Sequence, residues 1–138
     1  MRYFDASAFV KRYVREQGSA KVGRLIAAGP PATSRLSEVE VASAVARRAR
    51  EGAFSMAERD RALAALERDL TAMFVVELTP DITARARALL QRHALRAGDA
   101  IQLASCLYLQ EQIDEAVRFV AFDGRLIDAA RREGLAAR

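Results

Sequence analysis

Met1-Arg2-Tyr3-Phe4-Asp5-Ala6-Ser7-Ala8-Phe9-Val10 is the stretch on which the reading of the fold turns. An apolar strand runs straight into Asp5, and a helix is expected over residues 7 to 16, with Ser7 in its first turn. A carboxylate at the carboxyl end of a first strand, facing a helix N-terminus, stands where open α/β sheets place their ligands. Nothing local requires an acid there, so the remaining chain is read for other acids that reach the same edge.

Working outward, a second helix is expected over 19 to 28, and Gly29-Pro30-Pro31 is a firm stop. Ala32-Thr33-Ser34 fits a short buried strand, and a helix follows from about Leu36 to Arg50. Ser37 and Glu40 have capping-box spacing, and so do Ser55 and Glu58 at the start of the next helix. Residues 73 to 78 form a strand of β-branched and aromatic residues. Thr79-Pro80 opens a further helix, with proline in its first turn. Gly98-Asp99 starts another, residues 118 to 122 are a strand running directly into Asp123, and Gly134 closes the last helix. The chain ends soon after Leu135, so any final edge strand is short.

Strands thus alternate with helices, which predicts one three-layer α/β/α domain over 1–138 with a mostly parallel sheet. The helix pair of 55 to 92 is expected to form a flanking arm. A chain of 138 residues suffices for one domain with a sizeable core.

Composition narrows the function. The residues are 51% hydrophobic and 29% charged, and no apolar run reaches the ~20 residues of a membrane span. Asp5, Lys11 and Arg12 interrupt any signal-peptide core, so a cytoplasmic location is expected. Cys106 is the sole cysteine and has no disulfide partner; the sole histidine, His93, makes no zinc site with it. Cys106 is expected in the core and His93 in a cap or at the surface. The net charge of +4 is almost wholly arginine, which suits phosphate recognition without requiring it, since arginine and alanine are abundant throughout.

Four acids fall at strand ends and helix starts: Asp5, Glu40, Asp99 and Asp123. In a doubly wound sheet these junctions share the carboxyl edge. Singly, each is more often a helix cap than a ligand. Together they would repel without a cation among them, and Mg²⁺ or Mn²⁺ suits oxygen donors. Glu38, Asp114 and Asp128 are read as solvated surface acids.

The segments that carry these acids resemble a known family. They are Tyr3-Phe4-Asp5-Ala6-Ser7-Ala8-Phe9-Val10-Lys11, Ser34-Arg35-Leu36-Ser37-Glu38-Val39-Glu40-Val41, Leu95-Arg96-Ala97-Gly98-Asp99-Ala100-Ile101-Gln102-Leu103-Ala104, and Phe119-Val120-Ala121-Phe122-Asp123-Gly124-Arg125-Leu126. In this order and over nearly the whole chain they are similar to the PIN-domain ribonucleases, in particular the VapC-type toxins of toxin–antitoxin pairs. The resemblance implies a Mg²⁺- or Mn²⁺-dependent endoribonuclease that hydrolyses RNA phosphodiesters through Asp5, Glu40, Asp99 and Asp123. It also implies that Ser7 supports Asp5, and that the chain takes a cognate antitoxin and forms a homodimer. Ala121 departs from the family, where Thr or Ser is frequent two residues before the last aspartate.

Two rival readings are a catalytically silent RNA-binding module of the same fold and an aspartyl-phosphate phosphatase. The latter usually needs a second acid two residues after the first, where Ser7 stands.

Overall fold

The computed structural model describes residues 1–138. Its elements are β1 (Arg2–Phe4), α1 (Ala6–Phe9) with a 3₁₀ turn (Val10–Arg12), α2 (Ser19–Ala27), β2 (Pro31–Ser34), α3 (Arg35–Arg50) and α4 (Met56–Ala72). There follow β3 (Phe74–Val76), α5 (Pro80–Arg92), α6 (Ala97–Ile113), β4 (Arg118–Val120), α7 (Gly124–Arg132) and β5 (Ala136–Ala137). The sheet order is β3-β2-β1-β4-β5, and every pairing is parallel. The chain therefore winds one way from β1 to β3 and the other way from β4 to β5. The reversal lies between β1 and β4, and such a switch point opens a crevice beyond the strands' carboxyl ends.

Alternation along the strands divides the core between the two faces. Tyr3 and Phe119 belong to the cluster under α5, α6 and α7, and their rings stack at 5.7 Å. Phe4 and Val120 belong to the cluster under α1 to α4. Both β1 aromatics are fully buried. Burial of one such side chain contributes about 1.5–3 kcal/mol, so β1 anchors both cores.

The expected three-layer sandwich is present, and its sheet is wholly parallel. Three local readings are corrected. The helix expected over 7 to 16 ends by Arg12, because the next residues are drawn into tertiary contacts. The Tyr13 hydroxyl donates to Asp69 on α4 at 2.6 Å, and Lys11 turns back to Glu16 and the Gln17 carbonyl. The arm is the hairpin of α3 and α4, not the pair of 55 to 92: Leu66 and Leu70 pack with Val41 and Val45, while Ile82, Ala86 and Leu89 of α5 pack on the other face. The cap of α3 is Ser34, whose side chain accepts from the Leu36 N–H; Ser37, expected in a capping box with Glu40, is buried.

The Ser55–Glu58 capping box forms as expected, and Thr79 caps α5 with proline in its first turn. Cys106 is buried in the core. His93 ends α5 with its ring largely buried, its Nε2 2.6 Å from Glu133. No helix is long and apolar enough to cross a membrane.

Candidate active site

The four acids singled out in the sequence line one cleft of about 430 Å³ at the carboxyl edge of the sheet, with Ser7, Arg47, Arg96 and Gly98. Each arrives on a different element. Asp5 closes β1, whose ladder its N–H extends to the Val120 carbonyl at 3.1 Å. Glu40 lies on α3, Asp99 in the first turn of α6, and Asp123 three residues beyond β4.

Capping accounts for part of this arrangement. Asp5 is the N-cap of α1 and accepts the Ala8 N–H at 2.9 Å; Asp123 caps α7 and accepts the Leu126 N–H at 3.0 Å. Glu40 and Asp99 cap nothing: α3 is capped by Ser34, and α6 has no side-chain cap. None of the four makes a salt bridge, in a chain with 22 Lys and Arg. Glu38 and Asp128, read as surface acids, are exposed and paired with arginines.

Burial dominates the electrostatics. It pushes the Asp5 carboxyl up to about 7, with the Asp99 charge adding to the rise and the Ser7 and Ala8 hydrogen bonds opposing it. Burial also raises Glu40, which Asp99 reinforces and Gln102 opposes. Asp99 rises through burial and the Asp123 charge, against Arg96. Each shift disfavours the charged form: Arg47 and Arg96, which line the cleft, do not offset the burial of its acids.

This bears on stability. The folded chain holds the Asp5 proton up to about pH 7, whereas the unfolded chain releases it near 3.8. Between those values the native state binds more protons, so stability falls as pH rises through the window. Metal-free protein is therefore expected to melt higher at pH 5 than at pH 8, and Asp5→Asn to flatten that dependence. Thermal melts in EDTA across this range check it; an equal pH 5 to pH 8 drop in the variant would exclude Asp5 as a cause.

Ser7 is the joint of the site. Its hydroxyl lies 2.7 and 2.9 Å from the two Asp5 oxygens and accepts the Phe122 N–H at 3.2 Å. It thus ties β1 to the segment carrying Asp123. Ala121, where a hydroxyl was missed in the sequence, is buried, and its N–H donates to the Arg138 carbonyl.

Two supporting residues were not singled out from sequence. Gln102, on the face of α6 one turn after Asp99, is buried and donates to Glu40 Oε2 at 3.4 Å and Ser37 Oγ at 3.0 Å. Its carbonyl oxygen accepts the Tyr3 hydroxyl at 2.7 Å. Ser37 continues to Thr33, whose hydroxyl donates to the Phe4 carbonyl. Gly98 admits the Glu40 carboxylate: a Cβ there would stand 2.6 Å from Glu40 Oε1. A polar residue inside the apolar run of α6, and a glycine beside Asp99, were the available signals.

As the side chains stand, no group of three or more His, Cys, Asp or Glu is arranged to hold an ion. The donor chemistry nevertheless fits Mg²⁺ or Mn²⁺. Mg²⁺ retains several waters and takes one or two carboxylates, and this cleft offers four unpaired ones with no sulfur or imidazole.

Comparison with known proteins agrees with this architecture. The PIN domain family matches residues 2–132. Ribonuclease VapC45 and Ribonuclease VapC49 of Mycobacterium tuberculosis are each 37% identical to the chain, over 96% of it and 90% of their own length. The fold is similar to that of M. tuberculosis VapC20, described as a sarcin-ricin loop cleaving toxin, with a TM-score of 0.70 and 21% identity over 98% of this chain and 96% of that one. It is also similar to a chain of a toxin–antitoxin complex from Klebsiella pneumoniae, with a TM-score of 0.59 and 18% identity over 86% and 84%. With a family match over almost its whole length and relatives of this identity, the chain belongs to the PIN-domain family, as a protein of the VapC type.

Proposed function

We propose that the chain is an endoribonuclease that hydrolyses RNA phosphodiesters with Mg²⁺ or Mn²⁺, as the toxin of a toxin–antitoxin pair. The observation that carries the reading is the meeting of Asp5, Glu40, Asp99 and Asp123, all without salt bridges, in one cleft. The ribonuclease relatives support the reaction class.

In this reading Asp5, Asp99 and Glu40 hold the principal ion, and Asp123 completes the site or holds a second. An ion bound there supplies a more acidic water and positive charge opposite the phosphate. Ser7 keeps Asp5 oriented, and Gln102 does the same for Glu40. The RNA backbone follows an adjoining cleft that shares Arg96, Asp99 and Asp123 and adds Arg125. Arg47 lies at the other end of the acid cleft. These three arginines make no salt bridge, so phosphates are their available partners. A neutralising antitoxin that inserts an arginine among the four acids would replace the ion's charge.

The purified protein is expected to cut RNA with Mg²⁺ or Mn²⁺, to stop in EDTA, and to recover when Mn²⁺ is restored. Cleavage that persists in EDTA after stringent purification would rule out this mechanism. Salt-sensitive RNA binding without cleavage at any metal concentration would favour the silent binding module.

A further inference from the structure

Phe122 is an exposed aromatic residue whose chain neighbour Asp123 and backbone partner Ser7 line the acid cleft. It immediately precedes Asp123, and 39% of its surface is open to solvent. Its position is defined from two sides. Its N–H is held by Ser7, the residue that holds Asp5. The far edge of its ring lies against Gly18, where a Cβ would approach to 2.7 Å and the backbone has φ +93°. A side chain at position 18 would therefore be strained and would also displace the ring.

The charges around this ring are unusual for the chain. Its basic residues are arginines except Lys11 and Lys21, and both ammonium groups lie over Phe122, at 4.4 and 5.6 Å from the ring centroid. Their situations differ. Lys11 is fastened by Glu16 at 3.0 Å and the Gln17 carbonyl at 2.8 Å. Lys21 is exposed and has no acid partner, so it can turn to an incoming anion without breaking an ion pair.

The geometry points to a nucleotide subsite beside the acid cleft, in which one base of single-stranded RNA stacks on Phe122 and an adjacent phosphate takes Lys21. Aromatic platforms beside basic side chains bind single strands in this way, largely independent of base identity. Lysine suits the task, because a point charge on a flexible stem follows a mobile phosphate. The simpler reading, in which lysine stems merely shield an apolar ring, leaves both the open ring surface and the unpaired Lys21 without use. The subsite rests on the ribonuclease reading for its substrate, but its test does not require cleavage.

The chain has no tryptophan, so Phe122→Trp introduces a sole tryptophan, whose emission is excited apart from that of the three tyrosines. In an Asp99→Asn background, which separates binding from cutting, it is titrated with a 12-nucleotide oligoadenylate and with an abasic strand of equal length. Quenching by the oligoadenylate and not by the abasic strand is expected. Phe122→Ala should bind the oligoadenylate about 5- to 100-fold more weakly while leaving abasic binding unchanged. Lys21→Ala should lower the salt dependence of binding by about one ion. Equal quenching by both strands, or equal weakening of both by Phe122→Ala, would overturn the subsite. Base-dependent quenching in a chain whose wild type cuts no RNA would uphold the subsite and defeat the ribonuclease reading alone. RNA cleavage by wild type without base-dependent quenching would do the reverse. A melting curve for each variant shows that it is folded.

Discussion

Asp99→Asn is expected to reduce RNA cleavage by on the order of 10³-fold while leaving the fold at least as stable as wild type. The rate loss is of the size found when one preorganised electrostatic group is removed from an active site. The stability follows from what Asp99 does not do. It caps no helix and makes no salt bridge, and its charge is disfavoured by burial and by Asp123. The amide keeps its shape and removes a repulsion. Mn²⁺ should therefore raise the wild-type melting temperature by mass action and raise that of Asp99→Asn much less. Initial rates at saturating Mn²⁺, with melts in EDTA and in Mn²⁺, check both. Cleavage within a few-fold of wild type would remove Asp99 from the site, and equal melting shifts would place the ion elsewhere.

The second large effect is expected from Gly98→Ala, where stability and activity should move in opposite directions. Gly98 lies within α6, and its φ is not positive, so alanine suits the helix better by up to about 1 kcal/mol. Its Cβ, however, would lie 2.6 Å from Glu40 Oε1, whereas the Leu36 side chain is an ordinary 3.9 Å away. The carboxylate ends a flexible side chain and will yield. A displacement of about 1 Å in a catalytic group costs on the order of 10²-fold in rate. Gly98→Ala is thus expected to melt no lower than wild type and to cleave about 100-fold more slowly, with partial recovery when Glu40→Asp shortens the displaced side chain. Unchanged cleavage in Gly98→Ala would show that the placement of Glu40 does not limit the reaction.

The legible parts of this molecule are those that chain-local chemistry determines. Asp5 is legible because a carboxylate directly after an apolar strand marks the strand's end, and its capping of α1 is equally local. Asp123 stood out similarly, although β4 ends at Val120 and two residues intervene. Capping at Ser55 and Thr79 was readable because the cap and its N–H lie within three residues. What escaped was decided across the chain. Ser37 has the spacing of a cap, but Ser34 takes that role and the Ser37 hydroxyl joins Gln102 and Thr33. The helix after Ser7 stops early because Tyr13 finds Asp69, which is 56 residues away in sequence. Gln102 resembled a polar interruption in an apolar helix until Tyr3 and Glu40 were placed on either side of it. The opposite faces taken by α4 and α5 follow from the parallel crossovers, which no single segment encodes.

The hydroxyls and amide linking Tyr3 to Glu40 form a chain with one permitted orientation. Thr33 donates to the Phe4 carbonyl, so its oxygen must receive the Ser37 proton; Ser37 in turn receives from Gln102, whose carbonyl receives from Tyr3. Each proton is committed, and the Gln102 amide cannot be reversed without turning its carbonyl oxygen toward the Glu40 carboxylate and the Ser37 oxygen, neither of which has a proton left to give. In evolutionary terms Glu40 is not an independent character. A substitution at Tyr3, Thr33 or Ser37, chosen for the interior of the sheet, is inherited by the cleft as a change in how its glutamate is held. Drift in this core and drift in this active site are therefore one process, and sequence change at these positions should be tolerated only in concert.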